Sequence, residues 1–181
     1  AVAGHATTIE VYLGVSNKMM IRDNGRGIPI DPHPKFPKLS ALEVIMTTLH
    51  SGGKFSGKVY QTSGGLHGVG ISVVNALSSS LIVEVARDKK LWTQKFSRGK
   101  PKSKLIKGAN VNRRGTTIRF TPDTQIFGAE AHFKPATVYR MVRSKAYLFE
   151  GVKVRWSCDK PLLKGDNKTP AKEELHFENG L

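Results

Sequence analysis

Hydrophobic and polar positions change period several times along the chain, and each change marks an element. Residues 8–13 alternate and are rich in β-branched and aromatic side chains. Residues 18–22 repeat that signal after a Gly14 to Asn17 turn, which predicts two neighbouring strands in a hairpin. Pro32, Pro34 and Pro37 then exclude regular helix over residues 31–38 and predict a stiff loop. Ser40 with Glu43 three residues later reads as a capping box. It opens a helix whose apolar stripe is Leu42, Ile45, Met46 and Leu49 and which ends near His50, before Gly52 and Gly53.

Residues 51–65 are rich in Gly, Ser and Lys without periodicity, a long loop of the kind that serves as a lid or binding segment. A second helix follows from about Gly68, with Val73, Val74 and Leu77 as its apolar positions. Residues 81–87 and 91–97 flank Asp88, Lys89 and Lys90 as a second hairpin, and residues 116–121 alternate as a further strand. Val138, Met141, Val142, Lys145, Tyr147 and Leu148 have helical spacing, and residues 152–158 return to strand. No internal repeat is visible. Strand, helix, helix, several strands, helix, strand suits an α/β (α+β) sandwich, with helices on one face of a mixed, mostly antiparallel sheet.

Composition bounds this picture. The 181 residues are 39% apolar, enough for one well-filled core, so residues 1–181 read as a single domain. No apolar run spans a bilayer, and the start lacks the basic and apolar regions of a signal peptide. The single cysteine, Cys158, excludes an internal disulfide framework, agrees with a reducing compartment, and reads as a buried or half-buried strand residue. The expectation is a soluble, cytoplasmic protein with no membrane contact.

Charge adds a second theme. Twenty-nine Lys and Arg against 14 Asp and Glu give a net charge of +15, which suits a nucleotide or nucleic acid as partner. Ten of the basic residues fall in residues 89–114, where no acid occurs. Two readings fit that stretch: a solvated basic surface, or a DNA contact. Only Trp92 and Phe96 are aromatic there, so a base-stacking platform has little support.

The candidate chemistry lies in two places. Gly64, Gly65, Gly68 and Gly70, in GGLHGVG, open the second helix and offer bare backbone N–H groups to an anion, a phosphate-binding arrangement in physical terms. The cluster is neither a Walker A loop, since Ile71-Ser72 stand where Lys-Ser/Thr is needed, nor a dinucleotide fingerprint, since the spacing is G-x-x-G-x-G. Alone it is equally a tight helix-packing turn. The second place is DNGRGIP. Asp23, at a strand end, is a candidate acceptor for the exocyclic amine of a purine. Gly25 and Gly27 admit a close-lying flat ring, and Ile28 and Pro29 supply apolar wall. Alone, a plain Asp-Asn-Gly turn is the favoured reading of this segment.

DNGRGIP followed about forty residues later by GGLHGVGISVVNALS resembles the GHKL ATPase superfamily. That superfamily holds type II topoisomerase B subunits, mismatch-repair MutL proteins, heat-shock chaperones and sensor histidine kinases. The spacer ALEVIMTTLHSGGKF and the later RGTTIRFTPD narrow the resemblance to the gyrase and topoisomerase IV B subunits, from Ala3 to the end of the chain. GKVYQTSGGLHGVGIS and the final ENGL look more like topoisomerase IV than gyrase.

The resemblance implies a Bergerat-type ATP-binding fold and a set of site residues. Asp23 would bind the adenine amino group, with Gly27 and Thr116 assisting through a water, and Ile21, Ile28, Ile45, Met46, Ile71 and Ile118 would line the adenine pocket. Gly65, Leu66, His67, Gly68, Val69, Gly70 and Ile71 would wrap the phosphates. Lys54 and Tyr60 would add contacts from a lid, and Arg26 and Arg87 would edge the mouth, where ATP-competitive inhibitors bind. It also implies that the general-base Glu and the magnesium-binding Asn lie upstream of Ala1, so the domain is truncated at its N-terminus, with no catalytic or metal residue in the chain. The fragment is then expected to be monomeric and to bind ATP or an inhibitor without turnover. The full enzyme would use ATP and Mg2+, dimerise, and act on DNA with the topoisomerase A subunit. Two other readings remain: a MutL-like or kinase member of the superfamily, and a basic nucleic-acid-binding domain.

Overall fold

The computed structural model describes residues 1, 3–49 and 70–178. Strands β1 (Thr8–Gly14) and β2 (Lys18–Asp23) form the anticipated hairpin, with Ser16 and Asn17 turning at φ 62° and 57°. The proline-rich stretch is ordered beyond expectation as a small ladder, β3 (Pro32–His33) and β4 (Phe36–Ser40), which leads into helix α1 (Ala41–Thr47). Ser40 accepts the Glu43 N–H at 3.1 Å, half of the anticipated capping box. The reciprocal half is not made, because the Glu43 carboxylate accepts from Gln94 Nε2 at 2.7 Å instead. Leu42, Val44 and Met46 are the buried positions of α1, whereas Leu49 lies beyond its end at 59% exposure. The sheet meets α1 on a face rotated from the stripe read along the chain.

Helix α2 (Gly70–Ala76) buries Ser72 and Asn75 and leaves Val73 exposed. Asn75 donates to the Met46 carbonyl at 2.9 Å, satisfying a helix-end group that α1 leaves open. Strands β5 (Ser78–Arg87) and β6 (Lys90–Ser97) turn through Asp88 and Lys89, both at positive φ, as tight hairpins do. Two short strands, β7 (Lys100–Pro101) and β8 (Ile106–Asn110), extend that edge, and β9 (Gly115–Pro122) returns to the centre. A short helix α3 (Thr124–Phe127) precedes α4 (Pro135–Leu148), which has proline in its first turn. Strand β10 (Lys153–Cys158), a 3₁₀ turn (Lys160–Leu163) and β11 (Lys172–Leu175) complete the described chain.

Among the described residues, nine strands make one sheet in the order β11-β10-β1-β2-β9-β5-β6-β7, with β8 also on β6; β1 and β10 are parallel and the other pairs antiparallel. The register lines up Cys158, Leu13, Met19, Phe120, Leu81 and Phe96 on one face. That face carries both core clusters, one under α4 and one under α1, with Phe120 touching each. Each aliphatic side chain fully buried there stabilises by about 1.5–3 kcal/mol. On α4 the buried positions are Val138, Val142 and Ala146; Met141, Tyr147 and Leu148 are exposed, so the stripe is narrower than its apolar residues suggested. Helices therefore cover one face of a mostly antiparallel sheet, and among the described residues the opposite face is left open. No helix among the described residues is long and apolar enough to cross a membrane.

Candidate functional site

Strand β2 ends at Asp23, and β9 begins at Gly115 directly beside it. The close approach requires glycine: a Cβ on Gly115, whose φ is 122°, would lie 2.0 Å from the Asp23 carbonyl oxygen. This juxtaposition brings the Thr116 N–H to Asp23 Oδ1 at 3.2 Å, and Gly25 N–H reaches the same oxygen at 2.8 Å. One carboxylate oxygen is thus held by two backbone donors, and no described residue donates to the other. Thr116, 7% exposed, accepts the Ile28 N–H on its hydroxyl at 3.1 Å, which leaves its own hydrogen to donate.

The loop after Asp23 is pinned from two sides. Asn24 accepts the N–H groups of Thr7 and Thr8 at 2.9 and 3.0 Å and donates to the Thr7 hydroxyl at 2.9 Å, tying the loop to the start of β1. Gly27 turns at φ 80° against β5, where a Cβ would come within 2.9 Å of Val85 Cγ1. Arg87 on β5 donates to the carbonyl of Gly27 at 2.9 Å and of Arg26 at 3.4 Å. The strand end and its loop are positioned before any ligand arrives, the arrangement that spares a binder the cost of ordering.

These residues open on a cavity of about 500 Å³ lined by Asp23, Gly25, Arg26, Gly27, Ile28 and Thr116 from the anticipated site. Its remaining wall comes from elsewhere: Ala6 and Ile9 at the start of the chain, and Lys145, Phe149, Val152 and Val154 from the end of α4 and β10. Local pattern carried no signal for these, since more than a hundred residues separate Asp23 from Val154. Register supplies the link, because Ile9 pairs with both Asp23 and Val154. Asp23 is the only carboxylate on the described wall, whereas His5, Arg26 and Lys145 place basic groups around it. The cavity is mostly apolar, with one acceptor and one hydroxyl donor side by side and a cationic rim.

The other anticipated residues sit off that wall. Met46 is fully buried in the core under α1, and Ile71 and Ile118 pack against the same cluster as Ile28. Ile45 is half-buried on α1, and Pro29 is exposed. Ile21 is 42% exposed two residues before Asp23. Arg87 serves the loop carbonyls rather than the cavity wall. Lys54, Tyr60, Gly65, Leu66, His67, Gly68 and Val69 lie outside the described residues, leaving Gly70 and Ile71 of the phosphate-wrapping segment at the start of α2.

Comparison with known proteins bears on the family and the fold. The B subunit of DNA topoisomerase 4 from Bartonella bacilliformis is 58% identical over 182 residues, and that from Caulobacter vibrioides 56% over 181, in each case across the whole of this chain. The B subunit of DNA gyrase from Haloferax volcanii is 46% identical over 189 residues. The chain spans about a quarter of these relatives, 26% of the first two and 27% of the third. Among solved structures, the 43K ATPase domain of Thermus thermophilus gyrase B in complex with an aminocoumarin superposes with a TM-score of 0.79 at 34% identity. The match covers 98% of this chain and 42% of that one. The histidine kinase-, DNA gyrase B- and HSP90-like ATPase family matches residues 1–126. With the Asp23–Thr116 cavity set at the end of a mostly antiparallel sheet, the chain belongs to the histidine kinase-, DNA gyrase B- and HSP90-like ATPase family.

Proposed function

We propose that this chain is an ATP-binding domain from the B subunit of a bacterial type II topoisomerase, of the topoisomerase IV kind rather than the gyrase kind. The observation that carries the reading is the Asp23 carboxylate, fixed through one oxygen by two backbone N–H groups, with its other oxygen available beside the Thr116 hydroxyl. Adenine presents a donor at its exocyclic amine and an acceptor at the adjacent ring nitrogen, matching this acceptor and donor. Guanine presents the reverse pair and leaves both protein groups facing like partners.

In this reading Ile28 and the small residues around Gly27 lie against the ring, with Arg26 at the mouth. In the same reading the segment from Gly65 to Ile71, with Lys54 and Tyr60, contributes the phosphate contacts, and His67 does not act as acid or base. An aminocoumarin-type inhibitor, like that in the gyrase B structure, competes for the same cavity. In the whole enzyme, ATP binding drives dimerisation, and hydrolysis drives DNA strand passage together with the A subunit, in the cytoplasm. Topoisomerase IV relatives among the more identical matches favour decatenation and relaxation over supercoiling.

The chain itself holds nucleotide without hydrolysing it. Hydrolysis needs a base within reach of the attacking water. Asp23, the one carboxylate on the described wall, is committed to the adenine ring, and residues 50–69 contain no Asp or Glu. No group of three His, Cys, Asp or Glu that could hold a metal ion occurs among the described residues. Titrating the chain with ATP and with GTP by calorimetry tests the reading. Saturable ATP binding displaced by an aminocoumarin, with GTP weaker by tenfold or more, is expected. Equal binding of the two nucleotides, or none of ATP, would overturn it.

A further inference from the structure

The face of the sheet turned away from the helices is left uncovered by the described residues, and its register gathers cations that the nucleotide cavity does not use. Gln94 and Phe96 are buried on the helix side of β6, so Lys95 between them points to the open side. Lys100 pairs with Ser97 across β6 and β7, and the Lys102 N–H donates to the Lys95 carbonyl at 2.8 Å. Lys95, Lys100 and Lys102 therefore share the open face, all exposed, with Lys95 and Lys102 directly opposite. Like charges facing each other across a strand pair are destabilising. Across β5 and β9 the same face continues through Ser80, Thr121 and Arg119 to Lys18 on β2, around a shallow depression of about 230 Å³.

The acids on this face are already engaged. Glu84 is bound by Arg119 at 2.7 Å and Arg113 at 3.8 Å, and Glu10 by Arg22 at 3.5 Å and Arg155 at 3.4 Å. Lys18, Lys95, Lys100 and Lys102 make no ion pair among the described residues. From β2 to β7 is four strand spacings, about 19 Å, a length over which duplex DNA carries about eleven charges.

We propose that the open face toward the β6–β7 edge is a docking surface for the phosphate backbone of duplex DNA, with Lys95, Lys100 and Lys102 as its principal contacts and Lys18 and Arg119 extending it. Taking the polyanion to be DNA rests on the topoisomerase reading; the cationic track rests on the register alone. Lysines with flanking Ser and Thr hydroxyls are the donors that phosphate contacts use, and they carry no base preference. The duplex neutralises the Lys95–Lys102 pair.

Fluorescence anisotropy of a labelled 20-base-pair duplex against salt concentration tests this. Each phosphate contact contributes about 0.9 to the slope of log affinity against log salt. The combined Lys95→Ala, Lys100→Ala and Lys102→Ala variant should lose about 2.7 of that slope. Removing three exposed lysines elsewhere, Lys35, Lys38 and Lys164, should leave the slope near that of the parent, and arginine at the three sites should keep it. An unchanged slope in the alanine variant, or an equal loss in the control, overturns the proposal. Sedimentation with phosphatidylserine vesicles through these lysines, without duplex binding, overturns it in favour of a membrane surface. ATP titration of the same samples reads the cavity separately: normal ATP binding with a flat salt response sinks the surface alone, and lost ATP binding with the slope intact sinks only the nucleotide reading.

Discussion

Replacing Asp23 by asparagine changes one atom group and inverts what the cavity offers. The Asn Oδ1 retains the position that accepts from Gly25 and Thr116, at 2.8 and 3.2 Å in the parent, so the fold has little reason to move. The second oxygen becomes an NH2 and meets the adenine amine donor to donor. A charge-assisted bond of about 1.5–3 kcal/mol is lost, and two donors left facing each other cost about 1–3 kcal/mol more. Asp23 is only half-buried, so the lower part of that range applies, about 2.5 kcal/mol or close to a hundredfold in affinity. Calorimetric titration with ATP measures the loss, and urea unfolding of the same samples measures stability, which should fall by no more than about 1 kcal/mol. The asparagine also gains a donor suited to the guanine carbonyl, so the preference for ATP over GTP should shrink along with affinity. ATP affinity within threefold of the parent would refute the reasoning. So would a loss of affinity matched by an equal loss of stability, since that would make Asp23 a structural group.

Gly115→Ala forces the end of β2 and the start of β9 apart, because the new Cβ falls 2.0 Å from the Asp23 carbonyl. Overpacking and positive-φ strain together cost about 2–6 kcal/mol, so a thermal scan should show Tm lower by at least about 5 °C, and an unchanged Tm would refute the close approach. Asp123, nearly fully buried, has its carboxyl held below the usual carboxylate range, first by the Arg98 guanidinium at 2.6 Å and then by the Gln125 N–H. Its folded pKa is the lower one, so its contribution is complete above about pH 4 and is lost as pH falls through the folded value. Asp123→Asn should therefore flatten the acid end of the stability profile in urea titrations from pH 5 to 2, and a slope equal to the parent's would count against the pair. Cys158 is 6% exposed and burial pushes its thiol pKa up, so an aromatic disulfide reagent at pH 8 should modify the native chain at least about a hundredfold more slowly than the unfolded chain; comparable rates would show that the β10 strand opens readily.

Much of this was legible along the chain, for a local reason. Alternation over residues 8–13 and 18–22 produced β1 and β2, and Asp88 and Lys89 at positive φ make the anticipated hairpin turn. Ser40 capped α1 as its hydroxyl predicts. Each of these depends on interactions within a few residues, where steric and hydrogen-bonding rules act without reference to the rest of the fold. Asp23, Gly27, Ile28 and Thr116 were likewise marked by motif, and their spacing resembled one known superfamily.

Tertiary structure decided what depends on partners far along the chain. It sent the Glu43 side chain to Gln94, turned α1 to bury Val44, and placed Met46 in the core. It gave the cavity its second wall through Lys145, Phe149 and Val154, and made Gly115 indispensable by bringing β9 against Asp23. It also ordered the lysines of residues 89–114. In sequence they are a run of charge with two readings, whereas strand pairing puts Lys95, Lys100 and Lys102 on one uncovered face. A strand's own pattern says which residues share a side, but the pairing partner sets which side is covered.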